Sequence, residues 1–303
     1  MRQSGMNTPA PRLSTESWLL IAVLSLPWAG SFIFFRLLAH ELPSLTIAGG
    51  RVAIAALALY AFLRLRGGRL TVPWRGFLVM GLLNNVIPFT LFAWAEMRVS
   101  SGTAAILNAT APIFTVLVMH AAGAERLTAA RVAGVVLGFA GVAVLIGPET
   151  LVSSGDLTAQ LACLGGALSY GFTALWGRRL RHVAPLDAAA AQCLCSTAIL
   201  LPLVLVIDQP WTLAMPSLIA WSSLFGIALI STAAAYVLFF RIVALAGSAN
   251  VMLVTFLVPV SALAMGALFL GEPILPRSLG GMALIAAGLA AIDGRAWRWS
   301  AKG

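Results

Sequence analysis

A few side chains able to hold a solute stand inside runs that are otherwise apolar. Asn84 and Asn85 sit mid-run, one turn before Pro88. Each amide has two donors and two acceptor sites, so burial without partners is costly. The pair either bonds helix to helix, at about 0.6 kcal/mol in a membrane, or lines a cavity. A cavity is expected for at least one of them. Asn108 lies one turn before Pro112, and Thr255 one turn before Pro259. Proline lacks an N–H and leaves the carbonyl four residues back without its helical partner. Pro88, Pro112 and Pro259 are therefore expected helix bends. At Asn108 and Thr255 the freed carbonyl and the side chain either compensate each other or face a cavity and take a substrate ammonium or amide.

Thr232 and Tyr236, four residues apart, share one helix face, with Phe239 and Phe240 one turn on. Ser248, Met252 and Thr255 form a similar stripe, and packing explains such stripes as readily as a site does. Trp28, Trp94, Tyr170 and Trp176 fall within apolar runs or near their ends. Interfacial anchoring accounts for Trp18, Trp74, Trp211, Trp221, Trp297 and Trp299. It suits Trp28 less, eleven residues into its run, and an aromatic at that depth can stack on a ring or hold an ammonium. Arg51 is the one deep charge; it either partners a carboxylate or, as expected here, caps a short helix and reaches the outer interface. Glu96 and Arg98 are expected to be solvated, and His120 packed or interfacial.

Chemistry of other kinds finds little support. GxSxG, HExxH and phosphate-loop patterns are absent, and His40, His120 and His182 are scattered. Cys163, Cys193 and Cys195 lack metal-ligand spacing and suit small apolar packing. No catalytic residue, metal or cofactor is expected. A membrane enzyme or a channel is the remote alternative to a carrier.

The elements that must position these residues follow from composition. Of 303 residues, 60% are hydrophobic and 10% charged, against about 25% charged in a soluble domain. A soluble fold could not cover itself with polar groups. About 20 apolar residues cross a bilayer as a helix, and charges mark the ends of such runs. The runs predict ten transmembrane helices at 17–36, 43–64, 74–95, 100–121, 128–147, 157–178, 186–207, 215–240, 247–270 and 276–294. The chain is thus an all-α polytopic membrane protein. A disordered cytoplasmic head over 1–16, without a cleavable signal, and a tail over 295–303 complete it. With a cytoplasmic N-terminus, 15 of the 19 Lys and Arg fall on the inner side and 4 on the other, so both termini are expected inside. The net charge of +9 thereby reports topology, and no nucleic-acid partner is expected.

The chain repeats itself. Leu26-Pro27-Trp28-Ala29 aligns with Leu168-Ser169-Tyr170-Gly171, Arg36 with Arg178 and Pro43 with Pro185, at an offset of 142. Pro112 aligns with Pro259, Glu125 with Glu272, Gly134 with Gly281 and Gly141 with Gly288, at 147. Each half, 17–147 and 157–294, is a unit of five helices. Five is odd, so the second copy enters the membrane inverted, an architecture of secondary transporters with a site near midplane.

Pro27-Trp28-Ala29-Gly30-Ser31-Phe32, Arg51, Ala111-Pro112-Ile113-Phe114 and Gly123-Ala124-Glu125-Arg126-Leu127 resemble the EamA unit of the drug/metabolite transporter superfamily. Leu257-Val258-Pro259-Val260 and Leu270-Gly271-Glu272-Pro273 repeat it, with Tyr170 in place of the opening Trp. Overall the chain is most similar to YddG-type aromatic amino acid exporters. The resemblance implies export of aromatic and other hydrophobic amino acids, or related zwitterionic metabolites, across a bacterial inner membrane by alternating access. It also implies a central cavity lined by the first, third, fourth, sixth, eighth and ninth helices. A multidrug exporter is the alternative, but the spans lack the carboxylate that attracts lipophilic cations. Since the halves bury one another, a monomer is expected to suffice.

Overall fold

The computed structural model describes residues 15–124, 128–150, 154–180, 182–246 and 254–293. The expected tail over 295–303, nearly all of the expected head over 1–16, Glu125 of the repeat, and Ser248 and Met252 of the ninth-helix stripe lie outside them.

The described residues are helical rods without strands. They are α1 (Thr15–Leu38), α2 (Ser44–Leu65), α3 (Trp74–Ala95), α4 (Ser101–Ala121), α5 (Ala129–Thr150), α6 (Ser154–Gly177), α7 (Pro185–Asp208), α8 (218–246), α9 (Val254–Leu270) and α10 (Pro276–Asp293). Six are long and apolar enough to cross a membrane: α1, α2, α3, α4, α7 and Leu218–Phe239 of α8. Ala129–Val144 and Leu257–Leu270 are shorter apolar stretches. Outward faces stay apolar, with Leu65 87% and Leu268 76% exposed. Lipid tails solvate such faces as readily as a protein core does.

Helix starts are held by carboxylates distant in sequence. Asp208 accepts from the Thr46 N–H and hydroxyl at 2.7 Å each, at the start of α2. Glu41 accepts from the Ser217 N–H at 2.7 Å and hydroxyl at 2.6 Å, ahead of α8. Those bonds hold the Glu41 carboxyl below its ordinary range. Glu272 accepts from the Ser101 N–H at 3.0 Å, in the first turn of α4. Negative charge there also suits the positive end of the helix dipole.

Packing is preserved when each helix is exchanged for its mate five positions along. α1 packs on α9 as α6 packs on α4, and α2 on α8 as α7 on α3. α2–α7 and α5–α10 are their own counterparts. The α5–α10 seam brings backbones together. A Cβ at Gly288 would stand 2.5 Å from the Gly134 carbonyl oxygen, and one at Gly141 2.7 Å from that of Gly281. Small residues at such spacing let helices approach this closely.

Candidate functional site

Three helices depart from regular α geometry where the polar residues lie. In α3 the stretch Leu82–Val86 is π-helical, and in α8 so is Gly226–Ala234. Local π-turns rotate the side chains that follow and release carbonyls. The Leu83 carbonyl accepts from the Ser169 hydroxyl at 2.6 Å, and the Ile227 carbonyl from the Thr232 hydroxyl at 2.9 Å. α4 is interrupted at 109–110 between Ser101–Asn108 and Ala111–Ala121, where Pro112 has no N–H for the Asn108 carbonyl. Pro88 follows the π-turn of α3 in the first turn of Ile87–Ala95. Pro259 lies inside α9, a single α-helical segment.

These departures face a cavity of about 460 Å³ between the halves. Its aromatic lining is Trp28, Phe32, Phe35, Phe89, Phe92, Tyr170, Tyr236 and Phe239. The Trp28 and Phe239 rings lie 5.8 Å apart. The polar lining is Ser31, Arg51, Asn84, Asn108, Gln192, Ser231 and Thr232. Asn84 Nδ2 donates to Gln192 Oε1 at 3.1 Å and to the Tyr236 hydroxyl at 3.3 Å, tying α3 to α7 and α8. Asn108 Oδ1 is buried without a hydrogen-bond donor among the described residues. The volume falls in the range of small-molecule sites, roughly 300–1,000 Å³.

Of the residues singled out in the sequence, Trp28, Asn84, Asn108, Tyr170, Thr232 and Tyr236 meet around this cavity, with Pro259 beside them. Asn85 is turned away, fully buried, with Nδ2 donating to Ser196 Oγ at 2.9 Å and reaching Cys193 Sγ at 4.0 Å. Trp94 is absent from the lining and lies under the Arg98 guanidinium, 4.7 Å from its ring centre. Trp176 is also absent, and its indole N–H donates to the Gly76 carbonyl at 2.9 Å. Thr255 is in the first turn of α9, and its side chain lies outside the described part.

Two expectations about charges are corrected. Arg51 does not reach an interface. It is only 5% exposed, and its Nε donates to Thr232 Oγ1 at 2.8 Å. Its guanidinium lies 3.7 Å from the Phe89 ring centre and 5.2 Å from that of Phe35. Cation–π attraction to the two rings offsets part of the lost hydration. Glu96 is not solvated but 0% exposed, just beyond α3, with Oε2 accepting from Ser101 Oγ at 3.2 Å and Oε1 without a partner among the described residues. Burial, and secondarily the charge of Glu272, pushes its carboxyl well above the ordinary range. The signal for Arg51 was in the sequence, since a charge inside an apolar span marks a functional place by default.

The Arg51–Thr232 contact has an exchange counterpart. At the repeat offsets Arg51 corresponds to Cys193 and Thr232 to Asn85, and Asn85 with Cys193 is the pair seen across α3 and α7. Phe89 likewise corresponds to Tyr236 and Phe92 to Phe239. All four rings line the cavity.

A multi-pass helical bundle with an aromatic and polar cavity at its centre is a membrane carrier in class. The EamA-like transporter family model matches the chain twice, over residues 15–147 and 157–292, and the chain belongs to that family. It is therefore a transporter of a small molecule, embedded in a membrane, and not an enzyme. Among curated relatives, the uncharacterized transporter YoaV of Bacillus subtilis (strain 168) is 24% identical over 89% of this chain and 94% of its own. A probable terminal-alkyne amino-acid exporter of Streptantibioticus cattleyicolor is 28% identical over 94% of this chain and 95% of its own. A probable amino-acid metabolite efflux pump of Salmonella typhimurium is 25% identical over 91% of this chain and 94% of its own. A crystal structure at 19% identity superposes with a TM-score of 0.67 over 95% of this chain and 99% of the other, and it shares the fold.

Proposed function

We propose that the protein exports aromatic and other hydrophobic amino acids, or closely related zwitterions, across the inner membrane of a bacterium by alternating access. The observation that carries this is a cavity combining eight aromatic rings with amide, hydroxyl and guanidinium groups from both halves. Rings contact an apolar side chain, while the polar groups orient a headgroup common to all amino acids. Two relatives matched over nearly their full length are named a probable terminal-alkyne amino-acid exporter and a probable amino-acid metabolite efflux pump. In this reading all ten helices cross the membrane as two inverted five-helix repeats, 17–147 and 157–294. Both termini are cytoplasmic, a monomer suffices, and no nucleic acid is involved.

Counterflow in proteoliposomes tests it. Vesicles preloaded with unlabelled leucine should accelerate uptake of labelled leucine, phenylalanine and tryptophan, and uptake should saturate. Unsaturable flux without acceleration from the far side would indicate a channel and sink the proposal.

A further inference from the structure

We infer that Arg51 is the anchor for a carboxylate on the transported solute, so that the carrier selects small apolar molecules bearing a carboxylate. This rests on the cavity being the solute site. Arg51 is a buried cation on the cavity wall with no carboxylate partner among the described residues. An unpaired charge held in a protein interior within a membrane is costly, and one retained there marks a substrate or ion path.

The protein compensates it with groups that leave room for a ligand. Phe89 and Phe35 cover the flat guanidinium, and Thr232 takes the Nε hydrogen. A guanidinium has five N–H donors, and no other described residue accepts from the remaining four. Two of them in the plane of the fork match a carboxylate's paired oxygens. No described acidic side chain stands in line to take them. The spans carry no mid-membrane Asp or Glu, Glu272 is committed to the α4 start, and Glu96 bonds to Ser101. On the same cavity, Asn108 Oδ1 is a buried acceptor lacking a donor among the described residues. Unused donors and an unused acceptor on one cavity are the complement of an ammonium–carboxylate pair. The aromatic side chains lining the same cavity receive the side chain.

Binding of three probes to the purified protein separates the possibilities: phenylalanine, phenethylamine, which lacks the carboxylate, and 3-phenylpropionate, which lacks the ammonium. Losing one partner of a buried charged pair costs about 30-fold in affinity or more. Arg51→Gln should therefore weaken phenylalanine and 3-phenylpropionate by about 30-fold or more, while phenethylamine changes by less than about threefold. Arg51→Lys keeps a point charge without the fork and should retain the carboxylate preference at lower affinity. It decides the matter if Arg51→Gln does not fold. Equal losses for all three probes in a folded variant would make Arg51 structural and overturn the inference, as would unchanged phenylalanine binding. A parent that binds 3-phenylpropionate through Arg51 but no amino acid would keep the anchor and overturn the amino-acid reading. A parent that binds neither carboxylate would overturn both.

Discussion

Replacing Gly288 by Ala tests how closely α5 and α10 are joined. The added Cβ would sit 2.5 Å from Gly134 O and 2.8 Å from Gly138 N, both backbone atoms that cannot rotate aside. Restoring ordinary contact at 3.4 Å opens the seam by roughly 0.9 Å. A gap of that size forfeits about a quarter to a half of each dispersion contact along it. With about 40 atom pairs at about 0.15 kcal/mol each and a third lost, the cost is about 2 kcal/mol, within the usual range for overpacking. Gly280→Ala is the control, because its Cβ would meet Val144 Cγ1 at an unstrained 3.6 Å. Both changes alter helix propensity in the same way, so their difference isolates the clash. Unfolding midpoints in a mild detergent titrated with a denaturing one should place Gly288→Ala about 2 kcal/mol below Gly280→Ala. A difference under about 0.5 kcal/mol would refute the backbone-to-backbone reading of the seam.

Asn108→Ala removes a buried oxygen that has no partner among the described residues. It should hold or raise the melting temperature while weakening amino-acid binding about tenfold or more, the worth of a hydrogen bond to a charged group. Lost stability with retained affinity would contradict that role. Trp28→Ala should weaken tryptophan more than alanine, by about 2- to 12-fold, measured by competition in flux. Glu96 has its folded pKa raised, first by burial and then by Glu272, so the folded state favours its proton. The stability this gives is complete below the ordinary carboxylate range and is lost as pH rises through the folded value. Glu96→Gln should therefore melt at a higher temperature than the parent at neutral pH and converge with it in acid; identical pH profiles would count against a buried Glu96. Reporters fused at 64–73 and 177–186 should read cytoplasmic and one at 148–156 periplasmic, and the reverse would overturn the inverted repeats.

The sequence located helices well where charges flank them. The run predicted at 74–95 is helical over Trp74–Ala95, because Arg75 and Glu96 bracket it. The rule fails at Arg241, where α8 continues to Ala246, since the exposed guanidinium pairs with Glu16 at 3.6 Å and need not end a helix. Polar residues in apolar runs led to the cavity, yet the face each presents was harder to tell. Asn84 and Asn85 are neighbours in a π-turn, one facing the cavity and the other α7. Periodicity of 3.6 cannot assign faces across such a turn. Arg51 was misplaced for another reason: its aromatic cover comes from α1 and α3, which only the folded bundle brings to α2.

The three buried thiols make the native chain its own clock of opening. Cys193 Sγ faces Asn85 across the α3–α7 seam, Cys163 is buried within α6, and Cys195 Sγ lies 3.9 Å from the Trp74 carbonyl. A maleimide reaches a thiolate only where water does, so Cys193 reacts only while α3 and α7 stand apart. When reclosing outpaces labelling, the rate is proportional to the fraction of time open. Mass-resolved labelling of each cysteine would then time the α3–α7 seam at two heights, through Cys193 and Cys195, and the packing of α6 through Cys163, without an engineered probe. A transported solute that holds the seam shut would slow Cys193 in proportion to its occupancy, turning alkylation kinetics into a binding isotherm.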